Sequence, residues 1–96
     1  MENQILLCIL YDYYAELLTP KQRNYFKDYY FENFTLSEMS ENYDISRNAI
    51  HKNLKETEEK LFYYEEKLKL YEKNKKIKKI IYELDDDIKN KILELI

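Results

Sequence analysis

The sequence is poor in the residues that interrupt regular structure. It contains no glycine, one proline, one cysteine and no tryptophan in 96 residues. Because the turns between strands usually use glycine or proline, this composition disfavours a strand-rich fold and favours helices joined by short polar connections. The lone Cys8 excludes an internal disulfide and a cysteine cluster for a metal within one chain. We therefore predict an all-α protein of about five helices.

Long hydrophobic runs and catalytic groupings are also missing. The first residues, MENQILLCILYDYY, lack the positively charged start of a signal peptide, and the apolar run at residues 5–10 is too short to span a membrane. No nucleophile, base and orienting residue group together, and a glycine-rich phosphate loop is impossible. The single histidine, His51, fits a surface helix better than a metal site. The sequence predicts a cytoplasmic protein that is not an enzyme, needs no cofactor or metal, and does not insert into a membrane.

Helix-start signals divide the chain into segments. Thr19, Pro20 and Gln22 form the pattern of a capping box with proline in the first turn. A second capping box follows at Thr35, and the acidic triplet at residues 85–87 suits the start of a last helix. Helical spacing predicts buried faces in four of these helices. Their residues are Leu6, Ile9, Leu10, Tyr13, Tyr14 and Leu17, then Tyr25, Phe26, Tyr29 and Tyr30, then Leu36, Met39 and Tyr43, and finally Ile88, Ile92, Leu95 and Ile96.

The segment from Arg47 onward is predicted to form one long helix. A helix of roughly 30 residues would be about 45 Å long, which is more than a globule of this size can cover. Its apolar residues recur at alternating spacings of three and four, as in a coiled-coil seam. We therefore predict a single domain with a core at residues 1–60 and a helical extension at residues 61–96 that forms a homodimer. The predicted dimer interface consists of Leu54, Leu61, Tyr64, Leu68 and Tyr71.

The stretch TLSEMSENYDISRNAIHKNLKE, residues 35–56, has the pattern of a helix-turn-helix. The helix at residues 36–43 would support a recognition helix capped by Ser46, and Ser40 is small enough for the helix crossing. Asp44 occupies the turn, where Asp tolerates the left-handed conformation better than most residues. Ile45, Ala49 and Ile50 would hold the second helix to the core. The residues predicted to face outward and bind nucleic acid are Ser46, Arg47, Asn48, His51, Lys52 and Lys55.

The run LLTPKQRNYFKDYYFENFTLSEMSENYDISRNAIHKNLKETEEKL resembles the YlxM family of small bacterial proteins, as do LYDYYAELLTPKQRNY and LFYYEEKL on either side. The match covers about residues 9–70. The family in turn resembles region four of bacterial sigma factors, which implies a homeodomain-like or winged-helix-like helix-turn-helix with a long C-terminal helix. Family members are usually encoded beside the signal recognition particle (SRP) GTPase. The resemblance therefore implies a role in that pathway, with SRP RNA or the GTPase as a partner.

The charge distribution leaves two functions open. Residues 35–60 carry four basic and six acidic side chains, so a monomer is expected to bind duplex weakly, since affinity comes mainly from phosphate neutralisation. The five lysines of residues 73–79 are either a solvated helix face or a phosphate contact. Tyr63, Tyr64 and Tyr71 could stack on bases, although the seam makes Tyr64 and Tyr71 packing residues. The sequence predicts a regulator that binds DNA or RNA, or alternatively a module that docks on the SRP GTPase without reading bases.

Overall fold

The computed structural model describes residues 2–96, and all regular structure in this range is helical. This confirms the predicted all-α class, with six α-helices in the described range. They are α1 (Glu2–Tyr14), α2 (Pro20–Phe26), α3 (Leu36–Tyr43), α4 (Arg47–Leu68), α5 (Leu70–Ile81) and α6 (Asp86–Leu93). A 3₁₀ turn, Ala15–Leu17, follows α1, and a π-helical segment, Lys27–Phe31, continues α2. Within residues 2–96, no helix has the length and apolar character needed to cross a membrane.

The predicted helix starts are confirmed by their capping bonds. The Thr19 hydroxyl accepts the Gln22 backbone N–H at 3.1 Å, and the Gln22 side chain accepts the Thr19 N–H at 3.0 Å. The same reciprocal pair closes the start of α3, between Thr35 and Glu38. Asp85 caps α6 by accepting the N–H of Ile88 at 3.0 Å. These bonds satisfy backbone donors that have no partner inside the helix, so local sequence defines where these helices begin.

The core consists of two apolar clusters. The first joins α1 to α2 and α4, and contains Leu7, Leu10, Tyr11, Tyr14, Leu18, Phe26 and Leu61. The second lies beneath the helix-turn-helix and contains Tyr25, Met39, Ile50 and Leu54. The predicted buried face of α1 was partly wrong. Leu7 and Tyr11, which were not predicted to be buried, lie in the first cluster, and Leu17, which was, is 51% exposed. The 3₁₀ turn after Tyr14 takes Leu17 out of the helical register and brings Leu18 inward instead.

Two predicted core tyrosines lie at the surface. Tyr29 is 38% exposed and packs edge-to-face on Tyr30, with ring centroids 5.0 Å apart. Tyr43 covers the Tyr25 ring at a centroid distance of 4.6 Å, and its hydroxyl donates to the Asp28 carboxylate. This hydrogen bond and partial burial raise the pKa of Tyr43 to about 12. Tyr43 therefore covers a core ring and Tyr29 packs on Tyr30, and both remain accessible to solvent.

The predicted helix of roughly 30 residues is wrong, because α4 ends at Leu68 after 22 residues. Lys69 takes the left-handed conformation, with φ 55° and ψ 33°, and α5 begins at the next residue. The Glu65 carboxylate accepts the backbone N–H groups of Tyr71 and Glu72, each at 3.1 Å. A side chain of α4 thus caps α5 and replaces hydrogen bonds that a continuous helix would have made.

Part of the predicted dimer interface is buried inside the single chain. Leu54 is 3% exposed and Leu61 is fully buried, and both belong to the core clusters of the single chain. Tyr64 and Tyr71 are half-buried against the first cluster, and Leu68 is exposed. The prediction that Leu54 and Leu61 contact a second copy is therefore corrected, because α1 and α2 already cover this side of α4.

The C-terminal helices form an arm beside α1. Asn74 of α5 donates to the hydroxyl of Tyr13, whose ring lies 6.0 Å from that of Tyr71. The α6 helix packs on α5, and the molecule measures 54 × 25 × 24 Å along its principal axes. Of the predicted α6 face, Ile92 is half-buried while Ile88, Leu95 and Ile96 are exposed. Large apolar side chains exposed on the arm include Ile80, Tyr82, Leu84, Ile88 and Leu95.

Candidate nucleic-acid interface

The turn between α3 and α4 is built as the sequence predicts. Asp44 has φ 54° and ψ 45°, the left-handed conformation that Asp tolerates. The N–H of Ile45 reaches the Ser40 carbonyl at 3.2 Å, and the Ser40 hydroxyl donates to the Ile45 carbonyl. A small residue at the helix crossing therefore also ties the turn to α3. The start of α4 is consequently held at a fixed angle to its support helix.

The first turns of α4 are anchored from one side only. Ile50 is fully buried against Met39, and Ile45 is half-buried beside them. Ala49 was predicted to join this contact, but it is exposed. Its backbone N–H instead donates to the Ser46 hydroxyl at 3.1 Å, which caps the helix. The anchor is therefore narrower than expected, and more of the helix circumference faces solvent.

The six residues predicted to face outward are all exposed: Ser46, Arg47, Asn48, His51, Lys52 and Lys55. Among residues 2–96, no carboxylate forms a salt bridge with Arg47, Lys52 or Lys55. Their charges are therefore available to an external anion. Whether they bind nucleic acid stays a prediction.

Four of these residues border one groove. Ser46, Arg47, Asn48 and His51 line it together with Leu36 of α3, and its volume is about 570 Å³. Lys52 and Lys55 do not line this groove; Lys52 directly follows His51, and Lys55 lies about one turn further along α4. The structure thus places the polar groups at the start of α4 around a common concave surface, with the two lysines beyond it.

A second depression of about 390 Å³ meets the groove at Arg47 and Leu36. Its wall brings together Gln4 of α1, Tyr29 of the π-helical segment and Asn33 of the following turn. The remaining lining residues are Phe34, Thr35 and Ser37. Sequence patterns did not reveal this depression, because Gln4 and Arg47 are far apart in sequence and line the same depression only after the helices pack.

Acidic side chains are absent from the lining of both depressions, and Arg47 supplies a positive charge to each. Residues 45–55 contain Arg47, Lys52 and Lys55 and no carboxylate, whereas Glu56, Glu58 and Glu59 follow directly. Glu56 and Glu59 line a separate depression further along α4. The charged side chains of residues 35–60 are therefore unevenly distributed, and three of the four basic ones lie in the first turns of α4.

The lysine-rich helix α5 is less free than its sequence suggests. Lys76 pairs with Glu72 at 3.1 Å, and this partner lowers the pKa of the Glu72 carboxyl. The Lys75 ammonium lies 4.5 Å from the centre of the Tyr71 ring. Tyr64 and Tyr71 are packing residues, but they pack against the core of the same chain rather than at the predicted dimer seam, and Tyr63 remains exposed. Lys75 and Lys76 of α5 therefore already make contacts within the chain, although all five lysines are exposed.

Two helices joined by a left-handed turn, with an exposed polar face at the start of the second, define a helix-turn-helix protein. The family model described as "Putative helix-turn-helix protein, YlxM / p13 like" (UPF0122) matches residues 1–95. The chain therefore belongs to this family, which confirms the resemblance inferred from its motifs.

Relatives from the same family align with most of this chain. The UPF0122 protein of Geobacillus kaustophilus is 44% identical over 88 residues, which cover 92% of this chain and 80% of the relative. The protein of Oceanobacillus iheyensis is 51% identical over 75 residues, or 78% of this chain and 71% of the relative. The protein of Anoxybacillus flavithermus is 38% identical in an alignment that covers 99% of this chain and 96% of the relative.

Proposed function

We propose that the protein is a cytoplasmic regulator that binds nucleic acid through the face formed by Ser46, Arg47, Asn48, His51, Lys52 and Lys55. The observation that carries this proposal is that Arg47 lines two adjoining depressions whose linings contain no carboxylate. In a chain of net charge −3, the start of α4 is a surface where a polyanion would meet Arg47 within depressions that have no acidic lining residue.

The residue types suit distinct contacts. Arg47 can pair with a phosphate or with the O6 and N7 atoms of guanine, and Asn48 can pair with adenine. Lys52 and Lys55 lie further along the helix and suit phosphates of the flanking backbone. These roles give a helix whose first turn reads bases while its later cations fix its position on the duplex.

The number of cations sets the expected affinity. Three phosphate contacts would give a slope of about −3 for log affinity against log salt concentration on duplex DNA. Proteins that make six to ten such contacts have much steeper slopes. We therefore infer weak binding by a single copy, and a second copy would provide two recognition helices.

The experiment compares matched variants on α4 by fluorescence anisotropy, with labelled duplex DNA at several salt concentrations. Arg47→Ala removes the cation shared by both depressions, whereas Lys60→Ala removes an exposed cation beside the acidic depression of Glu56 and Glu59. We expect Arg47→Ala to weaken binding about 5- to 100-fold and Lys60→Ala to have little effect. Equal effects of the two variants, or no binding at low salt, would contradict the proposal.

A second candidate function is docking on an SRP component, with the SRP GTPase as the partner. The observation that favours it is the exposed apolar surface of the arm, which includes Ile80 and Tyr82, with 74% and 77% exposure. A pull-down with the GTPase and SRP RNA separates the candidates. A complex that survives nuclease and Arg47→Ala but is lost with Tyr82→Ser supports docking, and loss on nuclease treatment supports the first function.

Homodimer formation also stays a proposal, with a different surface from the one first predicted. Leu54 and Leu61 are buried in the chain, so only Leu68 and the accessible parts of Tyr64 and Tyr71 remain from the seam. Sedimentation at micromolar concentration tests it. A 24 kDa species supports a homodimer, and a 12 kDa species alone excludes one at that concentration.

A further inference from the structure

The depression lined by Gln4, Tyr29, Asn33 and Arg47 adjoins the groove at the start of α4, and binding of α4 to duplex DNA gives this depression no role. Its volume, about 390 Å³, lies in the ~300–1,000 Å³ range of clefts that hold small organic ligands. It meets the recognition groove at Arg47, so a ligand there would be continuous with nucleic acid bound along α4.

Tyr29 gives the depression an aromatic surface. The residue is 38% exposed, and its ring is held by edge-to-face packing on Tyr30, with centroids 5.0 Å apart. Phe34, which is half-buried, adds a second ring to the lining. An exposed ring in a fixed position is a stacking surface for a nucleobase, because every base has an aromatic face.

Two side-chain amides complete the wall. Gln4 projects from α1, and Asn33 stands in a left-handed turn with φ 59°. Within residues 2–96, neither side-chain amide has a hydrogen-bond partner by the usual geometric limits. An amide both donates and accepts, which matches the mixed pattern of groups on a base edge.

Arg47 is the charged residue of the lining, and it supplies a cation for the phosphate of the same nucleotide. A base inside a duplex cannot enter, because its faces are stacked and its pairing edge is occupied. We propose that this depression binds one unpaired nucleotide, with its base on Tyr29 and beside Gln4 and Asn33, and its phosphate at Arg47. The inference rests on the proposed function and extends it to loops, bulges or single strands.

The test compares two probes of the same stem sequence by fluorescence anisotropy. One probe is a hairpin with an unpaired loop, and the other is a fully paired duplex. Tyr29→Leu removes the stacking ring and Tyr29→Phe keeps it. Tyr63→Leu is the control, since Tyr63 is a 55% exposed tyrosine beside Glu56 and Glu59. Asn33→Gly removes the amide while preserving the positive φ, so it tests the site without straining the turn.

We expect Tyr29→Leu to weaken hairpin binding about 5- to 100-fold without changing duplex binding. Tyr29→Phe and Tyr63→Leu should bind like the wild type, and Asn33→Gly should lose affinity for the hairpin alone. Hairpins made of RNA and of DNA show which source supplies the nucleotide. The proposal is overturned if Tyr29→Leu and Asn33→Gly leave the hairpin-to-duplex ratio unchanged.

The two proposals fail in different ways. If Arg47→Ala weakens both probes while the Tyr29 and Asn33 variants have no effect, the nucleotide site is wrong and the helix-turn-helix function stands. If the wild-type protein binds neither probe at low salt, both proposals are wrong. Circular dichroism of each variant confirms that a loss of binding does not arise from unfolding.

Discussion

The hydroxyl of Tyr14 donates a 2.6 Å hydrogen bond to the carboxylate of Glu65, across 51 residues of sequence. The same hydroxyl accepts the backbone N–H of Leu70 at 3.1 Å, and Glu65 accepts the next two N–H groups of α5. Tyr14 and Glu65 together therefore form the cap of α5 and fix the bend between α4 and the C-terminal arm.

Tyr14→Phe should destabilise the fold while keeping the ring that packs in the core. The change leaves the Leu70 N–H without its partner and removes one bond to Glu65, so we expect a loss of about 1 to 3 kcal/mol in the free energy of unfolding. Urea denaturation followed by circular dichroism measures it. Tyr64→Phe is a suitable control, because the Tyr64 hydroxyl makes one longer bond, 3.3 Å to the Leu17 carbonyl. Equal losses in the two variants would show that the junction is not specially stabilising.

The contacts of Tyr14 with Glu65 and Leu70 should make the free energy of unfolding depend on pH in the alkaline range. Burial and the bond to Glu65 raise the pKa of Tyr14 to about 12 from its ordinary value of 10.0. Because the folded pKa is the higher one, the contribution of Tyr14 is complete below the unfolded pKa and is lost as pH rises through the folded pKa. Stability measured by urea denaturation should fall more steeply between pH 10 and 12 in the wild type than in Tyr14→Phe. Parallel declines would contradict this assignment.

Leu61→Asp should unfold the single chain. Leu61 is fully buried in the cluster between α1 and α4, and a carboxylate there would lose its hydration without gaining a partner. The cost of several kcal/mol is comparable with the ~5–15 kcal/mol stability of a typical domain. The neighbouring Phe62→Asp is the matched control, since Phe62 is 40% exposed on the same helix. A folded Leu61→Asp monomer, seen by circular dichroism and sedimentation, would contradict the burial of Leu61 within one chain.

Two replacements of Asp44 should distinguish the effect of the left-handed backbone on stability from the effect of the lost carboxylate. Asp44→Ala places a Cβ-bearing residue without a local hydrogen-bonding group at φ 54° and should cost about 1 to 2 kcal/mol. Asp44→Gly removes the same carboxylate but tolerates this conformation, so it should retain most of the stability. Thermal unfolding of the two variants measures the difference. Equal melting temperatures would show that the turn does not depend on the left-handed residue.

The features that were predictable from sequence are those with local causes. Thr19 and Thr35 cap helices through residues three positions away, and Asp44 supplies its own tolerance for the turn. The exposed face of α4 followed from the predicted anchor at Ile45, Ala49 and Ile50, of which Ile50 is buried and Ala49 is exposed.

The features that were missed depend on distant residues. The segment around Lys69 contains neither glycine nor proline. The new helix is capped by Glu65, in the last turns of α4, and by Tyr14, which lies 56 residues before Leu70 in the sequence. The seam at Leu61 has coiled-coil spacing, yet α1 of the same chain fills it. Spacing along one helix shows that a face is buried, but it does not identify the surface that covers it.

The central claim is that nucleic acid binds at the start of α4, and backbone amide chemical shifts during an NMR titration test it most directly. The fully paired duplex and the hairpin with the same stem sequence are titrated separately into ¹⁵N-labelled protein. We predict that shifts concentrate at residues 46–55 with both ligands, extend to Tyr29 and Asn33 with the hairpin, and spare Glu56 to Tyr63. Shifts confined to the lysines of α5, or none at low salt, would contradict the account.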